Sequence, residues 1–445
     1  MSGPRAALEE KVIEAALGAR GEVVRLVTEL VACDTTARLP GQPARDEEKL
    51  QRLLAARLAK LGAQPDLWEP APTGAGSRFL PADLDFAGRP QLAAVLPGAG
   101  GGRSLLLNGH IDAVDVAPRE KWLSDPFTVE ERDGSLYGRG VCDMKGGIAC
   151  LVVALETLSR LGVRLAGDVV FCTVTDEESS GAGGRMAREH GVRADAGIAA
   201  EATDFDAWVS CRGTLTPTIT LAGRAGHAEM PQPDWRQGGA VNAIEKLVPL
   251  LNGIQALREE WRTRPDHEHP LLAPGDIVPT IVGGGTWSVT YPASCDVTCD
   301  ITYLPAHADA EGTGKAVEAE VIERLTAAVS GDPWFAEHPL RFCWTEEVVP
   351  AEMPPDHPLV VTALECAALV GRSGKPAGLD SWHDAATFTA GGTPTFSFGP
   401  DGIETAHAVN ERASVKSLLD FTAAVAVLAM RWCGVADARP QGGPR

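Results

Sequence analysis

Residues 146–175 read GGIACLVVALETLSRLGVRLAGDVVFCTVT, a helix pattern followed closely by a strand pattern. Apolar residues recur at helical spacing from Gly146 to Leu161. The run from Asp168 to Thr175 is rich in β-branched residues, which favour strands. Strand and helix patterns alternate in the same way through the first half of the chain. Such alternation is typical of an α/β domain with a mixed, largely parallel sheet flanked by helices.

The pattern changes in the middle of the chain. Leu215–Leu221 alternates threonine with apolar residues, and Ser294–Tyr303 alternates again, as strands with one buried face do. Gly239–Leu257 has helical spacing between them. These patterns predict an inserted α+β module within the α/β fold.

The α/β pattern returns near Val349, so we expect one of the two domains to be discontinuous. The predicted division is 1–211 and 348–445 for the two parts of the α/β domain, with the inserted domain at 212–347. The tail from Ala436 to Arg445 is rich in glycine, proline and charged residues and is expected to be disordered.

Composition excludes several classes of partner. The chain has 445 residues, and 40 Lys and Arg against 60 Asp and Glu give a net charge of −20. Nucleic acids and anionic membranes require a basic surface, so neither is expected. The longest apolar stretch, Phe421–Met430, is too short to cross a bilayer, and the start lacks a signal-peptide pattern. The ten scattered cysteines favour reduced thiols, so we expect a cytoplasmic protein.

An apolar strand pattern, LLLNGHID at residues 105–112, ends in a histidine and an aspartate. Residues i and i+2 share one face of a strand, so His110 and Asp112 point the same way. This pair suits a metal-bound imidazole whose orientation is fixed by a neighbouring carboxylate. The alternative is a strand-end histidine capped by an acid, and the pair alone does not decide between them.

Two further acidic segments follow strands or precede helices. Asp143 lies in a glycine-rich loop before the helix pattern, where it is either a helix cap or a ligand. Asp176, Glu177 and Glu178 stand at the carboxyl end of an apolar strand, where open α/β sheets build their sites. Three crowded acids favour a cation, with one glutamate binding it and its neighbour moving protons. A solvated charged surface is the alternative.

Two more residues complete a set of candidate ligands. Glu201 ends the apolar stretch Ala196–Ala200, and His407 lies in the segment ETAHAVNE. The two histidines and three carboxylates are His110, Asp143, Glu178, Glu201 and His407. This mixture of nitrogen and oxygen ligands suits zinc, cobalt or manganese. It fits two metals that share one bridging carboxylate.

Six motifs occur in order along the chain: GHID at 109–112, GRGVCDMKG at 138–146, TDEE at 175–178, Glu201, GHA at 226–228 and AH at 406–407. By these motifs the sequence resembles the dinuclear zinc amidohydrolases that include acetylornithine deacetylase, succinyl-diaminopimelate desuccinylase, aminoacylase and glutamate carboxypeptidase. The resemblance extends from about Val24 to Val415. It implies a catalytic α/β domain and a lid domain that pairs two subunits into a homodimer.

The resemblance also implies a set of metal ligands. Asp143 would bridge two Zn²⁺ ions, for which Co²⁺ or Mn²⁺ are possible substitutes. His110 and Glu201 would complete the ligands of one ion. Glu178 and His407 would complete those of the other.

Three catalytic roles are implied in the same way. Asp112 would orient His110, and Glu177 would act as the general base. His227, in the inserted domain, would reach the active site of the neighbouring subunit and stabilise the tetrahedral oxyanion. Without the resemblance, His227 is simply a turn residue after Gly226.

The resemblance implies hydrolysis of an amide C–N bond in a small N-acylated compound by a metal-activated water. A dipeptidase or carboxypeptidase of the same chemistry is the near alternative. A non-catalytic homologue that keeps the fold is a third possibility, against which the presence of Glu177 and all five ligands argues.

The sequence departs from the family where many members bind the substrate's carboxylate. Thr302 stands where an arginine is expected, and Val289 stands near the place of an asparagine. Threonine cannot form the charge-assisted pair that arginine makes with a carboxylate. Glu346 and Glu347 would repel an anionic substrate if they face the cleft. The substrate therefore lacks a free carboxylate or carries a positive group, unless another arginine replaces the missing one: Arg212, Arg224 or Arg236.

A second departure is His383, close to the place where the family often has the sequence Thr-Asp-Ala. His383 either forms a pocket wall or is the first residue of a helix near Asp384. We favour the helix interpretation from the sequence.

Overall fold

The computed structural model describes residues 3–37, 42–71, 80 and 84–436, so most of the predicted disordered tail lies outside the described residues. The helices are α1 (Pro4–Leu17), α2 (Arg20–Val31), α3 (Glu47–Lys60), α4 (Lys145–Arg160), α5 (Glu177–Ser180), α6 (Ala182–His190), α7 (Ala243–Trp261), α8 (Lys315–Val329), α9 (Trp334–Glu337), α10 (Pro358–Leu369), α11 (Ala385–Ala390) and α12 (Val415–Cys433). The strands are β1 (Gln64–Trp68), β2 (Gln91–Leu96), β3 (Leu105–His110), β4 (Glu130–Arg132), β5 (Ser135–Tyr137), β6 (Val169–Val174), β7 (Ala196–Ala199), β8 (Ala207–Cys211), β9 (Gly213–Ala222), β10 (Asp276–Gly284), β11 (Ser294–Tyr303), β12 (Arg341–Val348), β13 (Ala351–Glu352), β14 (Pro376–Leu379), β15 (Thr395–Ser397) and β16 (Arg412–Ser414).

The largest sheet has the order β1-β2-β6-β3-β7-β15-β8-β13, with β14 also paired to β8. Strands β6, β3, β7 and β15 form a parallel centre, and antiparallel strands lie towards the edges. Helices cover this sheet: most of their apolar side chains join its strands in one large core, and α6 and α11 pack on it in a smaller cluster. The predicted mixed sheet flanked by helices is therefore confirmed.

The centre of this sheet is buried because its strands and the adjoining helix are almost wholly apolar. Every residue of β3 and of β6 is buried, and α4 is buried along most of its length. Helix α4 also approaches the end of β7 very closely. A Cβ atom at Gly147 would lie 2.0 Å from the carbonyl oxygen of Ala200, so this position requires glycine. The close packing fixes the backbone next to Glu201.

A separate antiparallel sheet has the order β10-β11-β9-β12. Residues of β9 alternate between buried and partly exposed, as its threonine pattern predicts. Helices α7 and α8 contribute to a second core with these strands, from Leu215 to Leu340. The inserted α+β module expected from the sequence is thus a sheet and helices with their own apolar core.

The chain enters and leaves this second sheet at two short crossings. Strand β8 of the main sheet ends at Cys211, and β9 begins at Gly213. Strand β12 ends at Val348, and β13 rejoins the main sheet at Ala351. These crossings lie beside the proposed boundaries at 212 and 347.

Two expectations from composition can be compared with the described residues. Within the described ranges, no helix combines the length and apolarity needed to span a membrane. All ten cysteines are free thiols, and nine of them are buried, with Cys343 exposed. This agrees with the prediction that the cysteines are reduced thiols.

Candidate metal centre and active site

The candidate residues meet at the carboxyl end of the parallel strands. His110 is the last residue of β3, Glu177 and Glu178 follow β6, and Glu201 follows β7. Because β6, β3 and β7 are parallel neighbours, their carboxyl ends form one edge of the sheet. Loops bring the other two ligand candidates to this edge: the loop between β5 and α4 carries Asp143, and the loop before β16 carries His407.

Asp143 lies between the two histidines. Its Oδ1 atom is 3.1 Å from Nε2 of His110, and its Oδ2 atom is 3.1 Å from Nε2 of His407. Glu201 Oε1 is 3.6 Å from the His110 nitrogen, and Glu178 Oε2 is 3.2 Å from the His407 nitrogen. The structure therefore brings all five predicted ligands together as two groups that share Asp143.

Asp112 supports both the imidazole and the acidic turn. Nδ1 of His110 lies 3.0 Å from the backbone oxygen of Asp112 and 3.7 Å from its Oδ1 atom. A proton on Nδ1 satisfies these acceptors and leaves the Nε2 lone pair directed at the acidic group. The Asp112 carboxylate also accepts hydrogen bonds from the backbone N–H groups of Glu177, at 3.2 Å, and Glu178, at 3.0 Å.

The three consecutive acids do not share one role. Asp176 turns away, with its carboxylate accepting hydrogen bonds from the buried Arg89, at 3.2 Å, and from the Ser180 hydroxyl. Glu177 faces the site, with Oε2 3.9 Å from Nε2 of His110. Burial raises the pKa of Glu177 well above its ordinary value, and nearby carboxylates, Glu201 first, add to the rise. A carboxyl group with a raised pKa is suited to exchange protons near neutral pH.

The pKa values of the other charged groups in the site depend on burial and on their neighbours. Burial raises the pKa of Glu201 to about 8. Hydrogen bonds to Asp143 and Glu178 raise the pKa of His407 to about 10. Although burial opposes it, hydrogen bonding to His110 and His407 keeps the pKa of Asp143 well below its ordinary value. Four carboxylates thus crowd around two imidazoles, an arrangement that a cation would stabilise.

The donor atoms fit divalent metal ions. One ligand atom each from His110, Asp143 and Glu178 lie within 4.8 Å of one another. Oε1 of Glu178 is buried and makes no hydrogen bond with the described residues. Imidazole nitrogen and carboxylate oxygen, without thiolate, are the ligands of zinc, cobalt and manganese sites. The residues present can therefore hold metal at this position.

A cavity of about 440 Å³ opens in front of this group. Its walls include Trp208, at the end of the main sheet, and Trp382, whose indole nitrogen donates to the Val349 carbonyl at 3.1 Å. Sequence reasoning did not identify either tryptophan, because a single aromatic residue in an apolar segment carries no signal that separates a cavity wall from a core. Both indoles add apolar surface to a lining that is otherwise rich in polar residues.

His383 is part of the same wall. It is buried, hydrogen-bonds through Nδ1 with the Ser397 hydroxyl, and packs edge-on against Trp208 with ring centroids 6.5 Å apart. Burial lowers the pKa of His383 to about 4, so its ring is neutral at physiological pH. His383 also directly precedes Asp384, the N-cap residue of α11. His383 thus lies before the helix, so the interpretation as its first residue is wrong, and the pocket interpretation describes the side chain.

No lysine or arginine lines the cavity among the described residues. The arginines considered as replacements are engaged elsewhere. Arg212 donates to the carbonyl oxygens of Asp380 and Pro274, Arg224 donates to those of Trp235 and Gly239, and Arg236 stacks on Trp235. The expectation that one of them replaces the missing arginine finds no support in these contacts.

The residues of the inserted domain that differ from the family pattern also lie outside the cavity lining. Thr302 is buried in β11, and Val289 accepts a hydrogen bond from Ala228 N at 2.9 Å. Glu347 is buried and accepts hydrogen bonds from the Tyr303 hydroxyl and from Gly314 N, so it faces the inserted domain's interior. The side chain of Glu346 lies outside the described residues.

His227 lies away from the cavity of its own chain, unlike the predicted ligands and Glu177, which line the cavity. It is exposed in the inserted domain, where it forms an isolated bridge with Thr290. It is absent from the residues that line the cavity. The expectation that it serves a neighbouring subunit stays a prediction.

Comparisons with known proteins agree with this geometry. The profile of peptidase family M20/M25/M40 matches residues 106–431. The N-formyl-4-amino-5-aminomethyl-2-methylpyrimidine deformylase of Halalkalibacterium halodurans is 30% identical over 430 residues, covering 93% of this chain and 94% of that protein. The acetylornithine deacetylase of Proteus mirabilis is 28% identical over 391 residues, covering 87% of this chain and 91% of that protein.

A solved structure shares the fold. The YXEP protein of Bacillus subtilis, described as a dinuclear metal binding peptidase from the M20 family, has a TM-score of 0.62 and 15% sequence identity. The alignment covers 94% of this chain and 99% of that one. The match over most of the chain and the shared fold lead to one conclusion: the protein belongs to peptidase family M20/M25/M40 and is a metal-dependent hydrolase of amide bonds.

Proposed function

We propose that this protein removes a formyl group from a small aromatic methylamine of the N-formyl-aminomethylpyrimidine type. The cavity carries this proposal: Trp208 and Trp382 are part of its wall, and no lysine or arginine lines it among the described residues. Such a cavity suits a flat, uncharged or cationic group and offers no partner to a carboxylate. The substrate named for the Halalkalibacterium halodurans relative has these properties.

The proposed site holds two divalent cations, with zinc as the expected metal and cobalt or manganese as substitutes. Asp143 would be the ligand shared by both cations, since its two oxygens each lie 3.1 Å from one of the two histidine nitrogens. His110 and Glu201 hold one cation, and Glu178 and His407 hold the other. When bound, such a pair lowers the pKa of a water molecule and polarises the carbonyl of the amide.

Glu177 serves as the general base in this proposal. Its carboxylate accepts a proton from the attacking water, whose oxygen forms the new bond to the formyl carbon. The C–N bond then breaks, and Glu177 returns the proton to the leaving nitrogen, giving formate and the free amine. Asp112 holds His110 and the backbone of the Glu177 turn in position during the reaction, through the hydrogen bonds described above.

We also propose a homodimer in which His227 of the partner subunit stabilises the tetrahedral oxyanion. The inserted domain exposes apolar side chains on its edge strand β10, Ile281 and Val282, and on α7, Ile244 and Val248. Exposed apolar residues clustered on one domain are typical of a subunit interface. A cytoplasmic location is retained as a proposal, which the ten free cysteines support.

Three alternatives are less well supported. A dipeptidase or carboxypeptidase would have to bind a substrate carboxylate, for which the described cavity lining offers no arginine or lysine. A deacetylase of the acetylornithine type meets the same difficulty. A non-catalytic homologue would have no need of Glu177 beside the five proposed ligands.

We expect replacement of Glu177 by glutamine to abolish turnover without loss of metal. The variant keeps the side-chain shape but cannot accept the proton, so kcat should fall by about 10²- to 10⁴-fold. Steady-state kinetics and elemental analysis of the same zinc-loaded sample check both parts. Glu189→Gln, which alters an exposed glutamate on α6, is the matched control and should leave kcat unchanged. Full activity of Glu177→Gln with its metal bound contradicts the assignment.

A paired substrate panel tests the substrate class. N-formyl-4-amino-5-aminomethyl-2-methylpyrimidine should give a kcat/KM at least about tenfold above that of N-acetylornithine, because the indole walls contact the ring and no cation contacts the ornithine carboxylate. N-formyl amino acids should be poorer substrates than their carboxyl-amidated counterparts. Formate or amine release is measured with the zinc- or cobalt-loaded protein. A preference for the free acids would overturn the proposed substrate class.

Subunit mixing tests the role of His227. His227→Ala should lower kcat by about 10²- to 10³-fold, as loss of an oxyanion donor does. A mixed dimer of His227→Ala and Glu177→Ala has one site with both residues intact. After subunit exchange, the mixture should recover about a quarter of the wild-type activity, since about half of the dimers are mixed. Native mass spectrometry verifies the exchange, and exchange without recovery rules out the shared site.

Metal should stabilise the protein more at high pH than at low pH. The pKa of Glu201 is about 8 against an ordinary 4.5, so its contribution to stability is full below about pH 4.5 and is lost as the pH rises towards 8. Bound cations need the ionised carboxylate and reverse this loss. The zinc-induced rise in Tm over a chelator-treated sample should therefore be larger at about pH 8 than at about pH 6.

Glu201→Gln is the control for that measurement. It removes the titrating group, so the chelator-treated variant should lose less stability than the wild type between the same two pH values. An equal zinc-induced rise in Tm at both pH values in the wild type would contradict the proposal that Glu201 binds the cation.

A further inference from the structure

The loops that carry Asp143 and His407 are joined by a buried ion pair between Arg139 and Glu411. Nη1 of Arg139 donates to Oε2 of Glu411 at 2.6 Å. Both side chains are almost fully buried, with exposed fractions of 2% and 1%. A buried pair of charges is costly unless each is fully hydrogen-bonded, so the other contacts of these two groups are informative.

The Glu411 carboxylate lies inside the turn that leads to Asp143. In addition to Arg139, it accepts hydrogen bonds from the backbone N–H groups of Gly140, at 3.1 Å, Cys142, at 3.0 Å, and Asp143 itself, at 3.2 Å. Four donors therefore converge on one carboxylate. The backbone of the proposed bridging ligand is held by Glu411.

Arg139 extends the connection to the His407 loop. Its Nη2 atom donates to the backbone oxygens of Asp115, at 3.0 Å, and His407, at 3.4 Å. The backbone of His407 is left-handed, with φ of 61°, which a residue with a side chain adopts only when its surroundings hold it there. The guanidinium supplies one such contact.

The two loops also leave the same small sheet. Strand β16 pairs with β5, and Gly138 N continues the pairing by donating to the Glu411 backbone oxygen at 3.1 Å. The chain towards Asp143 and the chain from His407 thus run side by side, and the ion pair joins them where they diverge. In contrast, His110 and Glu201 follow directly from β3 and β7 of the main sheet.

We propose that Arg139 and Glu411 are positioning residues that set the separation of Asp143 and His407 and thereby form the second metal site, the one completed by Glu178. This inference rests on the proposed pair of cations. The first site, with His110 and Glu201, depends on the main sheet and needs this ion pair less. The two sites are therefore expected to differ in their response to substitutions in the pair.

Glu411→Gln tests this inference through metal binding. The amide keeps the size of the carboxylate but carries no charge, and its NH₂ group cannot accept the hydrogen bonds that now converge there. Loss of a residue that orients ligands typically costs about 10- to 100-fold in metal affinity. We expect calorimetric titration of the chelator-treated protein with Zn²⁺ to show the second site weakened by about that factor and the first site weakened less, because the first site shares only Asp143 with the ion pair's loops.

Two further variants make the result interpretable. Glu404→Gln alters an exposed glutamate in the same segment, paired loosely with Arg412 at 3.6 Å, and should bind both ions as the wild type does. Arg139→Lys keeps the charge but cannot donate to Glu411, Asp115 and His407 together, so it should weaken the second site less than Glu411→Gln. It provides the test if Glu411→Gln does not fold, which its far-ultraviolet circular dichroism will show.

Each outcome has a defined meaning. Two wild-type-like Zn²⁺ sites in folded Glu411→Gln, or in Arg139→Lys if that variant replaces it, would overturn the positioning role. Equal weakening of both sites would overturn it as well, because the first site, which shares only Asp143, should be affected less. If the wild type itself binds only one Zn²⁺, the proposed two-metal function fails instead, which separates the two conclusions.

Discussion

The carboxylate of Asp143 between two imidazoles is the interaction on which the rest of the site depends. Its two oxygens lie 3.1 Å from His110 and from His407, so one residue belongs to both halves of the centre. Glu177, Glu178 and Glu201 add negative charge around these imidazoles, at a place where burial makes unpaired charge costly. Cations resolve this conflict, and they also supply the chemistry that amide hydrolysis requires.

The architecture explains how distant segments reach this point. The carboxyl ends of the parallel strands β3, β6 and β7 lie at one edge of the main sheet. Residues 110, 177, 178 and 201 are therefore neighbours without long loops. Asp143 and His407 come from loops and need separate support. That support comes from a buried ion pair and a small sheet rather than from the main core. The site thus combines strand-held ligands with loop-held ones.

The sequence predicted much of this because the relevant signals are local. An apolar strand that ends in His110 and Asp112 specifies both the element and the face of the side chains. Helix boundaries were less accurate. The pattern predicted a helix from Gly239, whereas α7 begins at Ala243, after the cap residue Asn242. The cavity walls were not predictable, since Trp208 and Trp382 meet only through tertiary packing. The contacts of Arg212 and Arg224 with backbone carbonyls likewise depend on the fold.

The central claim is that Asp143 bridges two metal ions in an M20-type hydrolase whose cavity, among the described residues, has no lysine or arginine in its lining. Anomalous diffraction at the zinc edge from crystals of the zinc-loaded protein tests this most directly. The account predicts two peaks about 3.5–4 Å apart, each in contact with one oxygen of Asp143. A single peak, or two peaks of which one does not contact Asp143, would contradict it.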